Sequence, residues 1–149
     1  MQQFWILLHL LGVIVWIGGM FFAHFCMRPA VLALPPPQRL ALMGDALGRF
    51  FAWVLAALAL IWASGLALML AAGFAAAPRS WHAMMGVALV MTVIFAVIRF
   101  VRYPRLRAGV AGSDWPAAAA ALNGIRLLVT VNLGLGVLTV AIATLGRIA

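Results

Sequence analysis

Apolar residues fill four long stretches of this chain, and the polar residues are gathered between them. Each stretch holds the ~20 apolar residues that an α-helix needs to cross a hydrocarbon core about 30 Å thick. The pattern predicts an all-α fold, an integral membrane four-helix bundle, with residues 1–149 forming a single domain. The predicted spans cover about residues 4–27, 50–74, 81–100 and 125–144.

The connections between these spans carry helix-breaking and helix-starting residues. Three prolines at 35–37 separate the first span from a helix that runs into the second, and Pro104 is expected to interrupt the chain after the third. Asp114 precedes the last span as a capping residue. Asp45 and Arg49 have the i,i+4 spacing of a helical ion pair. Both longer connections are therefore expected to extend helices beyond the membrane.

Composition excludes a soluble domain. Hydrophobic residues make up 68% of the chain, charged residues 8%, and the mean hydropathy is +1.19. The formal charge is +8, and every basic residue apart from the histidines is arginine. Because these arginines flank apolar runs of spanning length, they indicate membrane orientation and not nucleic-acid binding. The single Cys26 excludes an intrachain disulfide framework.

The arginines also predict a topology. Only Arg79 and Arg147 lie outside the two long connections and their helix ends. By the positive-inside rule, the long connections face the cytoplasm and both termini face the outer, periplasmic side of a bacterial-type inner membrane. The other eight arginines are Arg28, Arg39, Arg49, Arg99, Arg102, Arg105, Arg107 and Arg126.

One face of the first span carries residues that a lipid-facing helix would not need. Histidines inside spans are costly, so each is a functional candidate. Small residues on the same face let another helix or a flat ligand approach closely, and self-association of the bundle is a further expectation. The opposite face is leucine-rich and suits lipid. The stripe at helical spacing consists of His9, Gly12, Val13, Trp16, Gly19, Met20, Ala23, His24 and Met27.

A haem site is the first hypothesis for these residues. The predicted topology puts His82, at the start of the third span, on the same side as His9, and two imidazoles from different helices suit a six-coordinate haem b iron. Gly12 and Gly86 would leave room for the porphyrin, and Arg79 would pair with a propionate. The protein would then transfer electrons or oxidise a membrane-accessible substrate, with quinone or an outer-side redox partner.

A copper site is the alternative. Met20, His24 and Met27 follow i, i+4, i+7 spacing, and thioether and imidazole are ligands that suit Cu(I). Cys26 lies close in sequence but on a different part of the helix surface. A third hypothesis is a membrane scaffold whose helices merely pack and whose cytoplasmic extensions bind a partner, in which case the candidate histidines have no chemical role.

Short motifs in three spans resemble those of the CopD-like membrane proteins. This group includes copper-resistance D domains and is similar in pattern to the HemJ type of protoporphyrinogen oxidase. The resemblance covers most of the chain and supports the superfamily better than one activity. The motifs are HLLGVIVWIGG from His9, WASGL from Trp62 and WHAM from Trp81.

The two branches of the family imply different chemistry. The HemJ branch binds haem b through a first-span histidine, which corresponds to His9, and a third-span lysine, and it oxidises a porphyrinogen. Here Met84 stands at the lysine position and the chain has no lysine, so the resemblance leaves His82 or Met84 as second iron ligand and argues against porphyrinogen oxidation. The copper-resistance branch implies copper movement or tolerance.

Overall fold

The computed structural model describes residues 1–146 as four long helices joined by short turns, with no strand among those residues. All four are long and apolar enough to cross a membrane, which confirms the predicted helical class and number of spans. Arg147, predicted to lie at the outer side, falls outside the described residues. The helices are α1 (Gln2–Ala33), α2 (Pro36–Ala72), α3 (Arg79–Ala111) and α4 (Trp115–Leu145).

The helices are longer than the apolar spans that they contain. α2 has 37 residues, which at a rise of 1.5 Å per residue is about 55 Å, against a hydrocarbon core of about 30 Å. The prolines at 35–37 break the chain as expected, because α2 begins at Pro36. Asp114 caps α4 by accepting a hydrogen bond from the backbone N–H of Ala117 at 3.1 Å.

The prediction that Pro104 interrupts the chain is wrong, because α3 continues through it. A π-helical turn at Ile98–Arg102 ends two residues before this proline. Another π-helical turn, Ala23–Met27, precedes Pro29 at the same spacing in α1. These wider turns accommodate the proline ring, which would otherwise clash with the preceding helical turn. They also accommodate the proline nitrogen, which has no hydrogen to donate to the helix.

The helices pack in antiparallel pairs, α1 on α2 and α3 on α4. An aromatic cluster joins the pairs: the Phe95 ring lies edge-on to Trp16 at 6.3 Å and to Phe51 at 5.7 Å between centroids. Beyond this cluster, the carboxylate of Asp45 pairs with Arg107 of α3 and not with Arg49 as predicted. Tertiary packing brings a partner from another helix closer than the one at i+4.

The two ends of the bundle differ in packing and charge. We call the end that contains residues 28–49 and 99–126 the arginine end, and the end with the turn at residues 73–78 the turn end. Buried residues of α3 and α4 lie in the half towards the arginine end: none is buried over residues 79–90, nor over 137–145. Of residues 1–146, only Arg79 places an arginine at the turn end.

Candidate functional site

The striped face of α1 points into the bundle as predicted. Gly12, Trp16 and Met20 are buried, whereas Leu7 and Leu11 on the opposite face are exposed. His9 and His24 lie on the inward face and are half-buried. The periodicity of α1 therefore identifies the surface that meets the other helices.

His9 is held by a serine from α2. Its Nδ1 lies 3.0 Å from the hydroxyl oxygen of Ser64, and that hydroxyl donates its only proton to the backbone carbonyl of Leu60. A Ser64 hydroxyl that donates to a carbonyl can only accept from His9, which assigns the imidazole proton to Nδ1. The Nε2 of His9 consequently keeps its lone pair, as a metal-binding imidazole requires.

The other two histidines are held in the same tautomer. The Nδ1 of His82 lies 3.3 Å from the carbonyl oxygen of Pro78, which can only accept. The Nδ1 of His24 lies 3.2 Å from the hydroxyl of Thr130, whose proton is donated to the carbonyl of Arg126 at 2.9 Å. In all three side chains Nε2 is the nitrogen with a free lone pair.

His9 and His82 lie against different neighbours. The His82 ring packs edge-on to Phe74 at a centroid distance of 5.2 Å, in the turn between α2 and α3. No hydrogen bond or ring contact joins His82 to His9 within residues 1–146. Arg79 is exposed at the first residue of α3, and Met84 is half-buried one turn further along. The structure thus brings His9 to α2 and His82 to the turn.

The two glycines expected to make room for a porphyrin, Gly12 and Gly86, differ in the space around them. At Gly12, a Cβ would lie 2.7 Å from Cγ1 of Ile61, so α2 fills the space beside this residue. At Gly86, a Cβ would meet no heavy atom within 4 Å. α2 therefore occupies the space predicted beside Gly12, and Gly86 lies on the exposed surface of α3.

His24 lies in a recess that also contains two guanidinium groups. The recess is formed between α1, α2 and α4, and Arg28, Met43 and Arg126 line it with His24. Met20 is buried in the core and Met27 is half-buried. Because like charges repel strongly in a partly desolvated site, the two arginines disfavour a metal cation at His24.

Ser64 and Gly65 are the residues of α2 beside His9, and sequence periodicity did not single them out. A Cβ on Gly65 would lie 3.4 Å from Cε1 of His9, so this part of α2 directly faces the imidazole. Met69, one turn beyond Gly65, is 4% exposed. Among residues 1–146, no three His, Cys, Asp or Glu residues are grouped closely enough to hold a metal ion. A thioether is thus the available soft ligand.

Comparison with known proteins identifies one family. The family model described as "Copper resistance protein D" (CopD) matches residues 44–145, which is more than half of the chain. Ser64, Met69 and His82 lie inside the matched segment, whereas His9 lies before it. No curated protein and no solved structure matches the chain. Four helices able to span a membrane agree with the family match, and the chain belongs to the CopD family of multi-pass membrane proteins.

Proposed function

We propose that this protein binds copper as cargo inside its membrane bundle and acts in copper tolerance or movement, with Nε2 of His9 as a ligand. The observation that carries the proposal is the His9–Ser64 hydrogen bond, which leaves Nε2 unprotonated in the membrane-embedded part of α1. By the positive-inside rule the arginine end faces the cytoplasm, so His9 lies towards the outer side of an inner membrane.

Charge favours His9 over His24 as the copper ligand. The recess at His24 contains Arg28 and Arg126, whereas His9 lies in the half of the bundle away from the arginine end. Among residues 1–146, a cation at His9 meets no such pair of guanidinium groups. The set Met20, His24 and Met27 is accordingly the less favourable of the two copper sites.

Met69 supplies the soft ligand that suits Cu(I). α1 and α2 are antiparallel, since His9 faces Ser64 and Gly19 faces Phe50. Long side chains on a helix lean towards its N-terminus, so His9 leans towards the part of α2 that follows Gly65. Met69 follows Gly65 by four residues, so it belongs to the same face of α2 as the glycine that faces His9. An imidazole and a thioether from facing helices select Cu(I) over harder divalent ions.

The proposal is tested by titrating the purified protein with Cu(I) against a competing chelator. Replacing Met69 with leucine keeps an apolar side chain of similar volume but removes the sulfur. We expect binding to be weaker by at least about 10–100-fold, because the loss of a direct ligand costs at least as much as the loss of a supporting group of a metal site. Met91→Leu is the matched control, because Met91 is equally buried at 3% exposed. Equal affinity in both variants would contradict the assignment of Met69.

Haem b is the second candidate, favoured by the loose packing of the turn end and the free Nε2 atoms of His9 and His82. In this case His9 and either His82 or Met84 would hold the iron, and Arg79 would pair with a propionate. Bound haem would supply one-electron transfer, with quinone or an outer-side protein as partner. A Soret band in the purified protein that is lost in both His9→Ala and His82→Ala would support haem over copper.

A further inference from the structure

The arginine end contains a recess with no chemical role in the copper site. It lies between α1, α2 and α4, and Arg28 and Arg126 contribute its charged groups. Leu47, Leu122 and Val129 give it an apolar wall. Arg28 directly follows the first apolar span and Arg126 begins the fourth. The recess is therefore at the depth where a hydrocarbon core gives way to lipid headgroups.

The two arginines have no carboxylate partner available in this protein. The whole chain has only two acidic residues. Asp45 pairs with Arg107, and Asp114 caps α4. The Nε of Arg126 is buried and has no hydrogen-bond partner among residues 1–146, and the charge of Arg126 is repelled by Arg28 and Arg39. This concentration of positive charge favours the binding of an anion from outside the chain.

We propose that this recess binds the phosphate of an anionic phospholipid. Guanidinium groups bind phosphate oxygens in a two-pronged geometry, and basic pockets between membrane helices suit anionic headgroups. Arg28 and Arg126 hold the phosphate at the mouth of the recess, because Leu47, Leu122 and Val129 below them are buried in the bundle core. The two arginines lie where the hydrocarbon core gives way to headgroups, which favours a phosphate carried by a lipid over a free inorganic anion. The phosphate thus links α1 and α4.

The test measures bound lipid by native mass spectrometry of the intact protein in detergent. Phosphatidylglycerol, phosphatidylcholine or inorganic phosphate is added to separate samples. We expect one tightly held phosphatidylglycerol, and about tenfold or greater loss of its occupancy in Arg28→Gln/Arg126→Gln, because two charge-assisted contacts are removed. Arg28→Gln alone is also measured, since Arg28 is exposed and its change leaves the packed core intact.

The control variant is Arg49→Gln/Arg105→Gln, which removes two exposed charges outside the recess. It should retain the lipid. The proposal would be overturned if this control lost as much lipid as the recess variant. It would also be overturned if phosphatidylcholine bound equally well, or if inorganic phosphate displaced phosphatidylglycerol at similar concentration.

Discussion

Replacing His9 with alanine is expected to weaken Cu(I) binding by more than about 100-fold, a larger loss than removal of a supporting hydrogen-bond partner causes. The imidazole is the ligand whose tautomer is fixed by α2, and no other nitrogen replaces it on that part of α1. Ser64→Ala should have a smaller effect, about 10–100-fold, since it removes only the group that orients the ring. Competition titration of the purified variants measures both.

His24→Ala and His82→Ala are the matched controls for this prediction. Each variant removes an imidazole whose Nε2 is as free as that of His9. His24, however, lies beside the two arginines, and His82 packs against Phe74. Both variants should keep the copper affinity of the unmodified protein. If His24→Ala abolished binding and His9→Ala did not, the copper site would lie at the arginine end with Met20 and Met27.

The second large effect is expected at Gly12, where the backbone of α2 lies close to α1. A Cβ there would lie 2.7 Å from Cγ1 of Ile61 and 2.9 Å from the backbone oxygen of Ala57. The isoleucine can rotate, but the carbonyl belongs to the helix ladder and cannot move independently. Gly12→Ala should therefore destabilise the bundle by about 1–3 kcal/mol through overpacking. Thermal unfolding in detergent measures the loss.

Gly18→Ala is the control in the same helix. A Cβ at Gly18 would meet no atom within 4 Å, and alanine favours helix over glycine by about 1 kcal/mol in water. This variant should be as stable as the unmodified protein or more so. Equal destabilisation by the two substitutions would mean that helix flexibility, and not contact with α2, explains the glycine at position 12.

The fold could be predicted in large part because its determinants are local. Apolar length specifies the spans, prolines and a capping aspartate specify helix starts, and helical periodicity specifies the inward face of α1. The prediction for Pro104 was wrong because of the local backbone geometry, and the prediction for Asp45 was wrong because of tertiary packing. A π-helical turn accommodates the proline, and Asp45 pairs with a residue 62 positions away.

The candidate site could be predicted only in part. His9 stands out because a histidine in an apolar span is costly, and its helical face follows from spacing. Its partners depend on how far α1 and α2 slide along each other, which apolar sequences of similar composition do not specify. Ser64 and Met69 therefore become visible only in the packed structure. The same applies to the arginines at His24, which come together from α1 and α4.

Histidine-specific ¹⁵N NMR of the protein during Cu(I) addition tests the central claim most directly. Cu(I) is diamagnetic, so the signals of all three histidines remain observable, and each Nε2 is distinguished from Nδ1 by its chemical shift. Before copper is added, His9 should show a protonated Nδ1 and an unprotonated Nε2. Addition of one equivalent should shift the Nε2 signal of His9, assigned by its absence in His9→Ala. An unchanged His9 signal, with a shift at His24 or at no histidine, would contradict the account.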